Sequence, residues 1–230
     1  MKTAAIVAAA GEGLRMKSAT RKQYLSLEGM PVFFHSLNLF LEHPAITEII
    51  LVIPPGDADA VTGLLQPYCP PERIMLVEGG AARQESISRG LKALSSEAGL
   101  VCIHDAARPL ASAGLLDKLL EAAICWGAAV PVIALSDTVK EVDDEGYVLA
   151  TPARERLRLV QTPQVFKRDL IMQAYAEASN NLTKATDDAS LVELLGKPVM
   201  TVPGEPGNLK ITSPRDLLLA SLLLKGAEKK

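Results

Sequence analysis

The chain predicts an α/β fold: one mostly parallel, twisted sheet with helices on both faces. Three observations predict it. Apolar, β-branched runs alternate with segments of helical spacing as far as residue 135, the order that builds βαβ units with right-handed crossovers. Aromatic residues make up only 4% while aliphatic residues dominate, which suits strands buried between two helical layers. The 230 residues contain no repeat, linker or low-complexity tract, and that length supports one sizeable core.

Each element has its own signal. Residues 2–10 read as the first strand. Residues 31–43 carry apolar side chains at helical spacing behind Pro31, a residue favoured at helix starts. A strand over 46–53 stops at Pro54-Pro55-Gly56, a helix over 57–65 closes at Pro67, and 73–77 is a short strand. Gly79-Gly80 turns the chain into a helix over 83–94, a strand over 100–103 ends at His104-Asp105, and a helix over 115–124 leads to a strand over 128–135. There the alternation breaks. Residues 136–149 are polar around a hairpin turn at Asp143-Asp144-Glu145-Gly146. Arg154, Arg156 and Arg158 follow on alternate positions and share one side if that piece is extended. A charged hairpin with no apolar face cannot join the core, so 136–158 projects, as solvated decoration or as an arm against a second subunit. Residues 161–166 bring the chain back and 168–178 form a helix. Thr186-Asp187-Asp188 caps a helix over 189–195. Short strands at 199–202 and 208–211 precede a last helix that Ser213-Pro214-Arg215-Asp216 starts. The reading is a Rossmann-like single domain over 1–230 with one projecting β-hairpin arm.

Composition narrows the function. A net charge of −3 gives no global basic field for nucleic acid, so anionic ligands need local cations. No apolar run reaches membrane-spanning length. The apolar start after Lys2 faintly imitates a signal peptide, but it is short and runs straight into Gly-Glu-Gly-Leu-Arg, as a buried first strand does. Cys69, Cys102 and Cys125 are far apart and odd in number, which argues against a disulfide framework and fits a reducing cytoplasm.

The stretch from Ile6 to Met16, with Lys22-Gln23-Tyr24 beyond it, organises the chain. Gly11 and Gly13 let backbone N–H groups approach phosphate oxygens, and Arg15 and Lys22 add full charges. Met16 stands where a dinucleotide fingerprint has its third glycine, and no Gly-Lys-Ser/Thr triplet follows. What remains is a loop suited to a nucleoside triphosphate, or a plain strand-to-helix turn with two solvated cations. Ligands of open parallel sheets bind beyond the carboxyl ends of the strands. Gly79 to Ser86 and His104 to Pro109 lie at two more such ends. Asp105 there suits a ribose or substrate hydroxyl, a Mg²⁺ ion, or a helix cap.

Together these motifs resemble one family. They are Ala-Ala-Gly-x-Gly-x-Arg-Met at 9–16, Lys-Gln-Tyr at 22–24, Gly-Gly-x-x-Arg-x-x-Ser at 79–86 and His-Asp-Ala-Ala-Arg-Pro at 104–109. Asp137-Thr138, Thr162-Pro163-Gln164, Thr186-Asp187-Asp188 and Asn-x-Lys-Ile-Thr at 208–212 follow in order. The chain is similar, over essentially its full length, to the 2-C-methyl-D-erythritol 4-phosphate cytidylyltransferases of non-mevalonate isoprenoid synthesis. The resemblance implies a Mg²⁺-dependent cytidylyl transfer from CTP to methylerythritol phosphate. It implies catalytic roles for Arg15 and Lys22 at the α-phosphate and for Arg154 and Lys210 in positioning the attacking phosphate. Ala10, Gly11, Gly13, Gly80, Arg83 and Ser86 would surround CTP, and Asp105, Ala106, Thr138, Thr162 and Thr186 the second substrate, with Asp105 also the candidate metal ligand. It further implies a homodimer whose arm brings Thr138 and Arg154 to the neighbour's site. Two positions depart from the family pattern: Arg21 stands where many relatives have proline, and Ala81 where many have an acidic residue. A ribitol 5-phosphate cytidylyltransferase and a non-catalytic nucleotide-binding module are the alternatives. No Ser/His/Asp or Cys/His set is evident for a covalent route.

Overall fold

The first apolar run becomes the centre of the sheet. In the computed structural model, which describes residues 1–11, 21–95, 97–180 and 185–227, β1 (Thr3–Ala8) is buried from Thr3 through Val7. A strand covered on both faces reads as a continuous apolar run, and this one does. It pairs in parallel with β4 (Ile46–Ile53) on one side and β6 (Leu100–Asp105) on the other. β5 (Met75–Glu78) extends the sheet from β4, also in parallel. The register sets Ala8 beside Val52 and Asp105, and Ile53 beside Glu78. These four strands therefore end at one level, and the loops that follow them gather at one rim.

Alternate residues feed the two layers. Ala5, Val7, Leu51 and Ile53 pack with α1 (Val32–Glu42), α2 (Ala58–Leu65) and α4 (Ala113–Trp126). Ala4, Ile6, Ile50 and Val52 face α3 (Arg83–Ala93), α5 (Arg168–Asn180) and α6 (Asp188–Leu194). Phe33, Phe40 and Phe166 are among the largest fully buried side chains; each such burial contributes roughly 1.5–3 kcal/mol.

Beyond β6 the sheet is mixed. β7 (Ala128–Ala134) and β11 (Gln164–Lys167) run antiparallel to each other, and β11 is antiparallel to β6. β12 (Met200–Pro203) joins β7 in parallel and β10 (Arg158–Val160) joins it antiparallel, completing eight strands. The departure from strict alternation has a plain cause: β11 arrives after the excursion that follows β7, not over a helical crossover. Thr162-Pro163, between β10 and β11, is a cis peptide.

The excursion itself contains β8 (Glu141–Val142) and β9 (Val148–Ala150), which among the described residues pair only with each other. Their turn is held by the Asp143 carboxylate accepting from Tyr147 N–H at 2.7 Å and by Gly146 at φ +91°. Two expectations are corrected here. Arg154–Arg156 is a 3-10 turn, so Arg154, Arg156 and Arg158 do not sit on one extended piece. Residues 208–211 form no strand; Ile211 N–H donates instead to the Ala107 carbonyl at 2.8 Å, which ties this segment to the loop after β6. A small hairpin of β2 (Ser26–Leu27) and β3 (Met30–Pro31) supports α7 (Pro214–Ala227) through Leu27, Ile211 and Ala220. Asp216 accepts from Ser213 N–H at 2.8 Å and the Ser213 hydroxyl accepts from Asp216 N–H at 3.3 Å, the reciprocal cap that starts α7.

Candidate active site

A cleft of about 790 Å³ opens at the common strand rim. Its floor is the chain from Ala8 to Gly11 and from Asp105 to Ala107, and one wall is Gly79 to Arg83 with Ser86. Gly79 is required there: an added Cβ would lie 2.5 Å from Ala10 Cβ and 2.7 Å from Ser86 Oγ. The Ser86 hydroxyl, buried under the turn, accepts from Gly80 N–H at 3.1 Å and donates to the Ala82 carbonyl at 3.0 Å. Ser86 thus braces the wall from behind.

Lys22 enters from a 3-10 turn, Lys22–Tyr24, and its Nζ donates to the Ile211 carbonyl at 3.2 Å, one residue beyond Lys210. Lys22 and Lys210, remote in sequence, therefore line the same cleft. Gln23 holds the two ends of the first loop together: its buried amide donates to the Ala9 carbonyl at 2.6 Å and to the Gly11 carbonyl at 3.0 Å. Gly13 and Arg15 lie outside the described residues. Arg21 pairs with Asp57, which also accepts from the Tyr24 hydroxyl at 2.8 Å. At this departure from the family pattern, the Arg21 backbone φ of −59° is one that proline also adopts, and the arginine adds an ion pair there. At the other departure, Ala81 N–H donates to the Glu85 carboxylate at 2.9 Å.

Asp105 is the electrostatic centre. Arg83 Nε donates to its Oδ1 at 3.3 Å and Lys210 Nζ to its Oδ2 at 2.5 Å. Burial alone would raise its pKa, but Arg83 and Lys210 outweigh that and hold the carboxyl well below its ordinary range. Behind it, Thr162 Oγ1 accepts from Asp105 N–H at 3.0 Å and so directs its own proton to His104 Nδ1, also 3.0 Å away. His104 Nε2–H then donates to the Arg108 carbonyl at 3.0 Å. Burial pushes the His104 pKa down to about 4, so near neutral pH it is an uncharged brace. The Thr162 hydroxyl is spent on this brace and does not line the cleft; Ala106 does. Thr186 is exposed one residue before Asp187, the cap of α6. Thr138 and Arg154 are exposed on the arm and do not line the cleft of their own chain.

Among the described residues, five cationic side chains, Arg21, Lys22, Arg83, Arg89 and Lys210, line the cleft with the carboxylate of Asp105. Arg21, Arg83 and Arg89 are also paired with Asp57, Asp188 and Glu85, which do not line it. The lining itself therefore presents cations and suits an anionic ligand, while the small Ala and Gly residues leave room for a base and a ribose. Three residues carried no assigned role in the sequence. Arg89 reaches the wall by donating to the Gly79 carbonyl at 2.7 Å. Gln23 stood inside a quoted motif, where only its burial shows the bridging task. Asp188 is a fully buried acid that takes a two-point contact from Arg83; a charge in a cap motif was the available signal.

Comparison with known proteins gives a consistent picture. The family model for 2-C-methyl-D-erythritol 4-phosphate cytidylyltransferase (IspD) matches residues 3–226. A curated protein of that name from Pelotomaculum thermopropionicum is 44% identical over 228 residues, covering 99% of this chain and 96% of its own. The crystal structure of 4-diphosphocytidyl-2C-methyl-D-erythritol synthase from Anaerococcus prevotii superposes with a TM-score of 0.86 at 36% identity, covering 97% and 96% of the two chains. That of 2-C-methyl-D-erythritol 4-phosphate cytidylyltransferase from Thermus thermophilus gives 0.80 at 38% identity, covering 98% and 100%.

Proposed function

From the premise that the chain belongs to the 2-C-methyl-D-erythritol 4-phosphate cytidylyltransferase family, we propose how its cleft serves that family's reaction. The chain is a nucleotidyltransferase: it transfers the cytidylyl group of CTP to 2-C-methyl-D-erythritol 4-phosphate, giving 4-diphosphocytidyl-2-C-methyl-D-erythritol and pyrophosphate. The observation that carries the mechanism is the charge of the cleft, five cations to one carboxylate among the described lining residues.

The difficulty of the reaction is electrostatic, because one phosphorylated molecule must approach another. A sugar-phosphate oxygen, already anionic near neutral pH, forms the new bond to the α-phosphorus as the bond to pyrophosphate breaks, so little general-base help is needed. Lys22, together with Arg15, offsets charge that builds at the α-phosphate. Lys210 holds the attacking phosphate in line. The wall of Gly80, Arg83 and Ser86 takes the nucleoside, and Ala10 and Gly11 the phosphates. The hydroxyls among the described lining residues, Ser86 and Thr212, are both engaged, Ser86 with the turn at Gly80 and Ala82 and Thr212 with Asp216, which supports direct displacement over a covalent route.

A Mg²⁺ ion fits this donor set. Asp105 is the only carboxylate among the described lining residues, and Mg²⁺ in phosphoryl transfer is commonly held by one or two carboxylates plus the substrate's phosphates. When bound, it would supply further positive charge to the triphosphate and the departing pyrophosphate.

The arm supports a homodimer. Against the expectation of a charged hairpin with no apolar face, Val142, Tyr147, Val148 and Leu149 are large apolar side chains exposed on it, Tyr147 by 74%, and Leu159 and Val160 of β10 are exposed beside it. Such a concentration suits a partner surface, and a two-fold dimer would bring Thr138 and Arg154 to the neighbour's cleft. The three free cysteines suit a reducing cytoplasm, and among the described residues no helix is long and apolar enough to cross a membrane.

Side-by-side initial rates with CTP and either 2-C-methyl-D-erythritol 4-phosphate or ribitol 5-phosphate test the substrate; the first is expected to turn over, and a preference for ribitol 5-phosphate would overturn the assignment. A CTP analogue chiral at the α-phosphorus tests the route. Inversion is expected, and net retention would require a covalent intermediate.

A further inference from the structure

We propose that Asp188 and Tyr175, neither of which lines the cleft, are positioning residues that hold Arg83 back from Asp105 and so keep both groups available to substrate. The proposal deepens the cytidylyltransferase reading and rests on it.

Arg83 stands between two acids. On the cleft side the contact is single and long, Nε to Asp105 Oδ1 at 3.3 Å. On the far side it is double and short, Nη1 to Asp188 Oδ1 at 3.0 Å and Nη2 to Asp188 Oδ2 at 2.7 Å. The two-point contact fixes the plane of the guanidinium, because fork and carboxylate match only when coplanar. Asp188 is itself held: it is fully buried in the first turn of α6, and the Tyr175 hydroxyl of α5 donates to its Oδ1 at 2.5 Å. The fork is thus anchored to the buried acid and only leans on the acid of the cleft.

Stability alone is a weak reason for such an arrangement. Removing an arginine and an aspartate from water costs about as much as their attraction returns, and packed apolar groups often do as well. Orientation is what the pair supplies. Three of the five N–H groups of Arg83 are spent on the two acids, so two remain on a side chain that is 33% exposed and lines the cleft. Asp105 keeps acceptor capacity beyond its contacts to Arg83 and Lys210. Without the charge of Asp188, Asp105 is the only acid left to Arg83. The fork then closes on Asp105 in a two-point pair, and both groups are withdrawn from the bound molecules.

The test is a coupled set of substitutions in the full chain, assayed with CTP and 2-C-methyl-D-erythritol 4-phosphate well below the thermal midpoint of each variant. Asp188→Asn is expected to lower kcat/KM for CTP on the order of 30-fold, within the ~100-fold that misplacing a contact group by about an ångström can cost. Tyr175→Phe should lower it by a few fold. In an Arg83→Gln background the Asp188→Asn loss should shrink to less than about 3-fold, because the two residues act as one unit. A folded Asp188→Asn enzyme within about 3-fold of wild type, or an undiminished loss in the Arg83→Gln background, would overturn the proposal. Should Asp188→Asn fail to fold, Tyr175→Phe carries the same comparison, and an unchanged kcat/KM overturns it. Wild-type protein without turnover would contradict the activity instead; the positioning claim would then be read from CTP affinity in the same variants by calorimetry.

Discussion

At the scale of single residues, the chemistry depends on cations whose positions are fixed by neighbouring acceptors. Lys22 is steered by the Ile211 carbonyl and Lys210 by Asp105. Lys22→Ala should therefore leave the fold and CTP affinity nearly intact while lowering kcat by about 100-fold, the usual cost of one group that stabilises transition-state charge; single-turnover rates beside CTP titrations read the two effects separately, and an unchanged rate removes Lys22 from the chemistry. His104 makes a different prediction. Its native pKa of about 4 lies below the ordinary 6.5, so as pH falls through 6.5 the unfolded chain takes up a proton that the native imidazole refuses. Stability is then lost between pH 6.5 and 4, by up to about 3 kcal/mol. Asp105, depressed in the native state, extends the loss below its unfolded pKa. Urea melts across this range should show a shallower acid slope in His104→Asn, which keeps an acceptor for Thr162; an equal slope would mean that His104 is not the group responsible.

At the scale of elements, the cleft exists because α3 lies close against the sheet. Gly90 permits this: an added Cβ would come within 2.9 Å of Ile6 Cγ2 and 3.0 Å of Val52 Cγ2. Gly90→Ala should cost about 1–3 kcal/mol by overpacking. It should also raise KM for CTP, because α3 carries Arg83 and Ser86; denaturant midpoints and KM measured together check this, and a neutral substitution would contradict the close-approach account. The elements were also the most legible part of the chain. The span expected for β4 is the span observed, and α1, α3 and α4 differ from expectation by a residue or two at their ends. Periodicity and proline or glycine stops are local signals, so they can be read locally. The misreadings came where pairing at a distance decides. Residues 208–211 look strand-like, yet Ile211 bonds to a loop. Arg154 lies in a 3-10 turn, and its guanidinium donates to the Ser136 carbonyl at 2.7 Å, far back along the chain. The site divides in the same way. Motifs located Lys22, Gly80, Arg83, Asp105 and Lys210 at one cleft, whereas the uses of Gln23 and Asp188 depend on contacts that spacing does not carry.

At the scale of the whole molecule, the proposal is that one chain does not complete its own site. The body supplies Lys22, Arg83, Asp105 and Lys210, while Thr138 and Arg154 stand exposed on the arm and do not line that cleft. A partner's arm laid over the cleft would add the missing cation to the second phosphate. The most direct measurement mixes two enzymes that are each inactive alone, Lys22→Ala and Arg154→Ala, after unfolding and refolding them together. Random pairing gives about half mixed dimers, each with one intact site, so activity should return to about a quarter of the wild-type value. Mixed dimers verified by differently tagged chains that remain inactive would contradict a site shared between subunits.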